Sequence, residues 1–160
     1  MVETWRAFLE QAGARFDGDT VAGFSESQAE AKAALDGDTV ADLSHFGLLR
    51  ASGEDAATFL QGQFTNDIRQ VTPEHSQVSA FCTPKGRMQA AMRIFLRDDA
   101  YHLRLPGEMV EGVRERLTKF ILRSRVAIED AGADLVRIGV SGPGATAGLR
   151  DAAGSVPDEV

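Results

Sequence analysis

Three apolar runs of strand length, joined by two tight turns, constrain this chain more than any other feature. The runs are Ser76–Thr83, Met88–Arg97 and Ala100–Leu105, with Pro84-Lys85-Gly86 between the first pair and Asp98-Asp99 between the second. Proline presets the turn dihedral and glycine accepts a positive φ, so the runs are predicted to lie antiparallel as a meander. Pro106-Gly107 then introduces a helix running to about Arg123. Its apolar positions Val110, Val113, Leu117, Phe120 and Ile121 repeat at helical spacing, and Glu115 can pair with Lys119 one turn on. A strand at Val126–Glu129 completes the unit.

Upstream, Thr39–Ser44 and Phe46–Ala51 are further strand-length runs, and Ser52-Gly53-Glu54-Asp55 opens a helix. Ser52 with Asp55 has the form of a capping box, Ala56, Phe59 and Leu60 are placed to face the core, and Gly62 is a helix stop tolerant of a left-handed backbone. The amino-terminal region is predicted as a helix over Glu3–Ala14 with Trp5, Phe8, Leu9 and Ala12 on one face, a short strand at Thr20–Phe24 and a helix around Glu26–Leu35.

The strand–Ser-Gly–helix unit then begins again. Ile138, Ser141, Gly142, Ala145 and Leu149 stand where Leu49, Ser52, Gly53, Ala56 and Leu60 stand in the first copy. Internal repetition on this scale implies a second module, cut short at Val160; a chance match of two short units is the alternative. The expected fold class is α+β: a mainly antiparallel sheet with helices packed on one face, and the start of a second related unit. The expected divisions are an extension over 1–38, a first domain over 39–131 and a truncated second domain over 132–160.

Composition excludes several function classes. With 160 residues, 43% of them hydrophobic, the chain can bury a core without metal or disulfides. A formal net charge of −7 argues against direct nucleic-acid binding, which depends on neutralising phosphates, so any anion site must be local. Cys82 is the single cysteine, and His45, His75 and His102 share no metal-ligand spacing, so no metal site is expected. The start of the chain lacks a secretion signal and no run approaches the ~20 apolar residues of a membrane span, so a cytoplasmic protein without membrane contact is expected.

Phe59-Leu60-Gln61-Gly62-Gln63 with Thr65-Asn66-Asp67, followed about fifteen residues later by Phe81-Cys82-Thr83-Pro84-Lys85-Gly86-Arg87-Met88, resembles the YgfZ family. That family is related to the glycine-cleavage aminomethyltransferase, or T-protein, and to sarcosine-oxidising enzymes. The resemblance covers roughly Val40–Leu149 and implies a three-domain ring around a tetrahydrofolate pocket. It also implies a role in making or repairing iron–sulfur proteins, with the assembly machinery or its clients as partners and a downstream effect on tRNA modification. Two departures qualify it. Where the T-protein carries acidic residues that contact folate, this chain has Ala90 and Ala91, which cannot hydrogen-bond a pterin or polarise an amine. The family's Lys-Gly-Cys-Tyr-x-Gly-Gln-Glu motif does not occur in these residues.

The resemblance makes Lys85, Gly86, Arg87, Asn66, Asp67 and Gln63 the candidate folate contacts. Lys85 and Arg87 flank a glycine at a hairpin end, where side chains and backbone amides can together hold a carboxylate. From residue types alone the alternative is a solvated basic turn. Asn66 and Asp67 shape a pocket rim or simply order their own loop. Gln61 and Gln63 face a cavity or solvent, and Cys82 reads as a packed, inert thiol rather than a nucleophile. Lys119, Arg123 and Arg125 form a small basic group at a helix end, complementing its dipole. The leading function is a folate-binding factor for iron–sulfur cluster assembly; the alternatives are a folate-dependent aminomethyl transferase and a protein-interaction module without ligand.

Overall fold

In the computed structural model, which describes residues 1–154 and Val156, local sequence dictates most of the elements. They are α1 (Glu3–Gln11), β1 (Arg15–Asp17), β2 (Thr20–Gly23), α2 (Ser27–Asp36), β3 (Thr39–Asp42), β4 (Phe46–Ser52), α3 (Ala56–Gln61), β5 (Gln77–Cys82), β6 (Met88–Arg97), β7 (Ala100–Pro106), α4 (Val110–Phe120), β8 (Ala127–Asp130), β9 (Ile138–Ser141) and α5 (Ala145–Ala153). Single 3₁₀ turns cover Ile68–Gln70 and Gly107–Met109. No helix among the described residues is long and apolar enough to cross a membrane.

One compact unit spans Phe46–Ala133. It holds a five-stranded, wholly antiparallel sheet in the order β5-β6-β7-β4-β8. The meander forms as expected, and Asp98 and Asp99 take φ of 51° and 56°, the doubly positive geometry of a two-residue hairpin between Arg97 and Ala100. Alternation along the strands sends Ala90, Met92, Ile94, Leu103, Leu105, Leu49 and Ala51 to one face. There they meet Phe59 and Leu60 of α3 and Val110, Val113 and Leu117 of α4, so the helices pack on one face and the core lies beneath them. The α+β reading of the sequence holds.

Several local expectations are corrected. Ser52 is the last residue of β4, and no side chain caps α3; the Asp55 carboxylate instead accepts from the Arg125 amide at 2.8 Å. Gly62 ends α3 with φ −81°, in right-handed rather than left-handed geometry. Glu115 makes no ion pair with Lys119; the pair on α4 is Glu111 with Arg114, at 2.7 Å.

The other unit comprises Met1–His45 and Asp134–Val160. The expected boundaries put Thr39–Asp42 in the first domain, but β3 pairs antiparallel with β9, Thr39 opposite Ser141 and Asp42 opposite Ile138, and so joins the two ends of the chain. The stretch from Arg15 to Gly23 is a β1–β2 hairpin, of which sequence patterning found only the second strand. Trp5 of α1 donates to Asp42 at 2.8 Å.

The repeat is structural. Gly53 and Gly142 take φ of +115° and +125°, and in each copy the amide three residues on, Ala56 or Ala145, donates back to that glycine's carbonyl before a helix begins.

His102 is buried on the sheet face opposite the core, stacked on Phe95 at 5.1 Å, and its Nδ1 lies 3.1 Å from the Ala100 carbonyl. Burial, more than the nearby Arg97 and Arg50 charges, holds its pKa below the ordinary 6.5 against the opposing Ala100 bond. The unfolded chain therefore binds the extra proton first, and the neutral ring's stability, complete above pH 6.5, is lost as pH falls toward the folded value. Melting temperatures from pH 7.5 to 5.5 should fall more steeply for the native protein than for His102→Gln; parallel curves would contradict this. Gly53→Ala, whose Cβ would lie 2.2 Å from the Arg125 carbonyl oxygen, should cost about 3 kcal/mol by urea unfolding. Gly86→Ala, with φ +76° but open space around it, should cost only about 1 kcal/mol.

Candidate functional site

The β5–β6 hairpin end is built by its own backbone. Thr83 and Arg87 close it: the Thr83 amide donates to the Arg87 carbonyl at 2.9 Å, the Gly86 amide to the Thr83 carbonyl at 2.9 Å, and the Arg87 amide to the Thr83 hydroxyl at 3.1 Å. Lys85, Gly86 and Arg87 are thereby held exposed at the tip. Phe81 pairs with Ala90 but Cys82 with Met88, so Gln89 is an extra residue, a β-bulge. Its carboxamide oxygen accepts from the Arg116 guanidinium of α4.

Behind the tip lies a cleft of about 500 Å³, lined on the hairpin side by Phe81, Cys82, Thr83, Pro84 and Gln89. Gly62, Gln63 and the end of α4, with Arg116, Lys119 and Phe120, form the other walls. Of the expected contacts only Gln63 lines this hollow. Lys85 and Arg87 project from the turn that borders it, and Cys82 is half-buried in its wall.

Asn66 and Asp67 both have structural partners. Strand β5 is an edge of the sheet, and the segment Phe64–Asn66 lies along it. The Thr65 amide donates to the Ala80 carbonyl at 3.1 Å, the Asn66 amide to the buried Ser79 hydroxyl at 3.1 Å, and the Asn66 carboxamide to the Val78 carbonyl at 3.0 Å. An edge covered in this way cannot recruit a foreign strand. Asp67 caps the following 3₁₀ turn and pairs with Arg69 at 2.7 Å, whose hydrogen bond holds its carboxyl below the usual carboxylate range. Gln61 accepts from the Ile68 amide at 2.8 Å.

The sheet's second face is uncovered at its β5–β6 end. Val78 stands opposite Arg93 and Ala80 opposite Ala91, and Val78, Ala91 and Arg93 are exposed. Arg93 also stands directly opposite Arg104. Like charges in that position repel. Neither forms an ion pair among the described residues: Arg93 donates to the Ser76 hydroxyl at 3.0 Å, and Arg104 stacks over Phe46 at 4.7 Å with its Nε buried and unbonded. Further along, Glu129 is engaged by Arg50 at 2.6 Å. No group of three His, Cys, Asp or Glu side chains placed to hold a metal occurs among the described residues.

The sequence pattern of the GCVT N-terminal domain family matches residues 8–158. The chain belongs to that family. Its curated relatives include the tRNA-modifying protein YgfZ of Colwellia psychrerythraea, 33% identical over 119 residues that cover 74% of this chain and 36% of the relative. The protein of the same name from Klebsiella pneumoniae is 33% identical over 116 residues, 72% of this chain and 35% of the relative. The chain thus spans about a third of the length of the relatives it matches. Among solved structures, the glycine cleavage system aminomethyltransferase T of Bartonella henselae superposes with a TM-score of 0.79 at 20% identity, over 100% of this chain and 45% of that one. The chain is a YgfZ-like protein with the aminomethyltransferase fold.

Within this family frame the two alanines separate. Ala90 is buried beneath the helices, whereas Ala91 alone reaches the open face. Arg93 and Arg104 were not singled out from sequence, because their opposition depends on β6–β7 register. The alternation Ala91, Arg93, Phe95 against Ala90, Met92, Ile94 is the signal that was available. The edge cover gives a test of its own. Ser79→Ala leaves the Asn66 amide without its partner and should cost about 1–2 kcal/mol in urea unfolding.

Proposed function

We propose that this chain forms one wall of a folate-binding protein that supports iron–sulfur cluster assembly or repair and, through client proteins, tRNA modification. The observation that carries the reading is the open sheet face, where a flat apolar strip of Val78, Ala80 and Ala91 adjoins the opposed cations Arg93 and Arg104. A pterin ring suits the strip, and the carboxylates of a glutamate tail suit the arginines, whose planar forks take a carboxylate with two hydrogen bonds. Lys85 and Arg87 supply further positive charge at the hairpin tip, and Gln63 stands on the cleft behind it. Asn66 and Asp67 serve the reading indirectly, by fixing the edge of β5. Bound tetrahydrofolate would supply a carrier for one-carbon groups. The iron–sulfur role rests on the likeness to YgfZ, and the tRNA role on the name those relatives carry.

The transferase alternative needs a carboxylate facing the ligand. On this wall that position is Ala91, and Glu129 is already engaged by Arg50, so binding without turnover is favoured. The formal charge of −7 agrees with a protein that acts on proteins rather than directly on RNA.

Calorimetry on the intact protein should show tetrahydrofolate binding. Arg93→Ala should weaken it about tenfold, and Lys85→Ala with Arg87→Ala by a similar factor. Methylenetetrahydrofolate formation from N-methyl or aminomethylated substrates should be undetectable. Unchanged affinity in all the variants would remove folate from this wall, and clear turnover would make the protein a transferase.

A further inference from the structure

Apart from Gln63, the residues lining the cleft behind the hairpin tip are ones that the folate reading does not use. Arg116 and Lys119 lie three apart on α4 and both line it, with no acidic side chain among the lining residues. Neither forms an ion pair among the described residues, and Arg116 is aimed by the bulged Gln89. A cleft whose charged lining residues are both cations stands against the background of a chain with formal charge −7. Its remaining walls are largely apolar: Phe81, Pro84 and Phe120.

The apolar surface continues past the cleft. Val110, Val113 and Leu117 bury the inner stripe of α4, and Phe120 prolongs that stripe beyond the end of the packed core, where it is 55% exposed. Leu122, two residues on, is 86% exposed. A small anion could satisfy Arg116 and Lys119 but would leave Phe120 in water. Exposed apolar side chains beside unpaired cations fit a longer occupant of complementary charge.

We propose that this cleft docks an acidic segment of a partner protein, with carboxylates on Arg116 and Lys119 and an aromatic or leucine side chain set against Phe120 and Pro84. Opposite charge steers the encounter, and apolar contact along Phe120 and Pro84 holds the segment. The site lies on the helix-covered side of the sheet, apart from the open face, and does not depend on folate binding.

The test uses the intact protein and a fluorescein-labelled peptide in which glutamates surround a phenylalanine and a leucine. Its control carries lysines in place of the glutamates. Anisotropy should show saturable binding of the acidic peptide and none of the control. Arg116→Glu combined with Lys119→Glu should weaken binding at least about tenfold, whereas the same charge change at Lys32 and Arg150, outside the cleft, should leave it unaltered. The Arg116 and Lys119 variant should still bind tetrahydrofolate as the native protein does, so failure here is distinguishable from failure of the folate reading. Absence of binding, equal binding by the variant, or displacement of the peptide by equimolar inorganic phosphate would overturn the proposal, the last in favour of a small-anion site. Loss of tetrahydrofolate binding in that variant would overturn it too, by assigning the cleft to folate.

Discussion

The backbone of Gly53 lies against the Arg125 carbonyl so closely that a Cβ there would sit 2.2 Å from its oxygen. This contact lets β4 turn sharply into α3 while the chain leaving α4 enters β8 beside it. Two hydrogen bonds lock the junction, from the Asp55 amide to the Arg125 carbonyl at 3.3 Å and from the Arg125 amide to the Asp55 carboxylate at 2.8 Å. The same device serves the other unit. Gly142, with a would-be Cβ 2.5 Å from the Gly37 carbonyl oxygen, turns β9 into α5, and the Asp38 carboxylate accepts from the Gly144 amide at 2.7 Å. In both places a glycine at positive φ and an aspartate on a neighbouring amide join a strand-to-helix elbow to a distant segment.

Once that elbow is set, the two sides of the sheet acquire different duties. One side is sealed by α3 and α4, and its residues are chosen for packing: Leu49, Ile94, Leu103 and Leu105 are almost wholly buried. The other side is closed where His102 stacks on Phe95 and left open where Ala80 meets Ala91. That opening carries alanines rather than carboxylates, with Arg93 and Arg104 opposed beside it. The Phe64–Asn66 segment keeps the adjoining edge from pairing, so a flat exposed wall exists without an exposed ladder.

Much of this was legible in the residues. The meander, the helix after Pro106 and the second strand–Ser-Gly–helix unit follow from periodicity and turn chemistry that act over a few residues. The expected capping box at Ser52 failed for an instructive reason: Asp55 is drawn to the Arg125 amide, seventy residues away, and no local pattern encodes that competition. Lys119 is likewise one turn from Glu115 by sequence, yet it lines a cleft walled in part by the bulged Gln89. Asn66 and Asp67, candidate ligands from their types, are held by Val78, Ser79 and Arg69.

The sequence by itself determined the α+β class, the hairpin turns, the repeat and the family, because each is carried by short-range backbone preference or by a contiguous motif. Tertiary structure alone decided that β3 joins β9, that Ala90 is buried while Ala91 is open, and that Arg93 faces Arg104. Those facts turn on strand register and on which face the helices cover. A shift of one residue would exchange every inward side chain for an outward one, and only the packed whole fixes that choice.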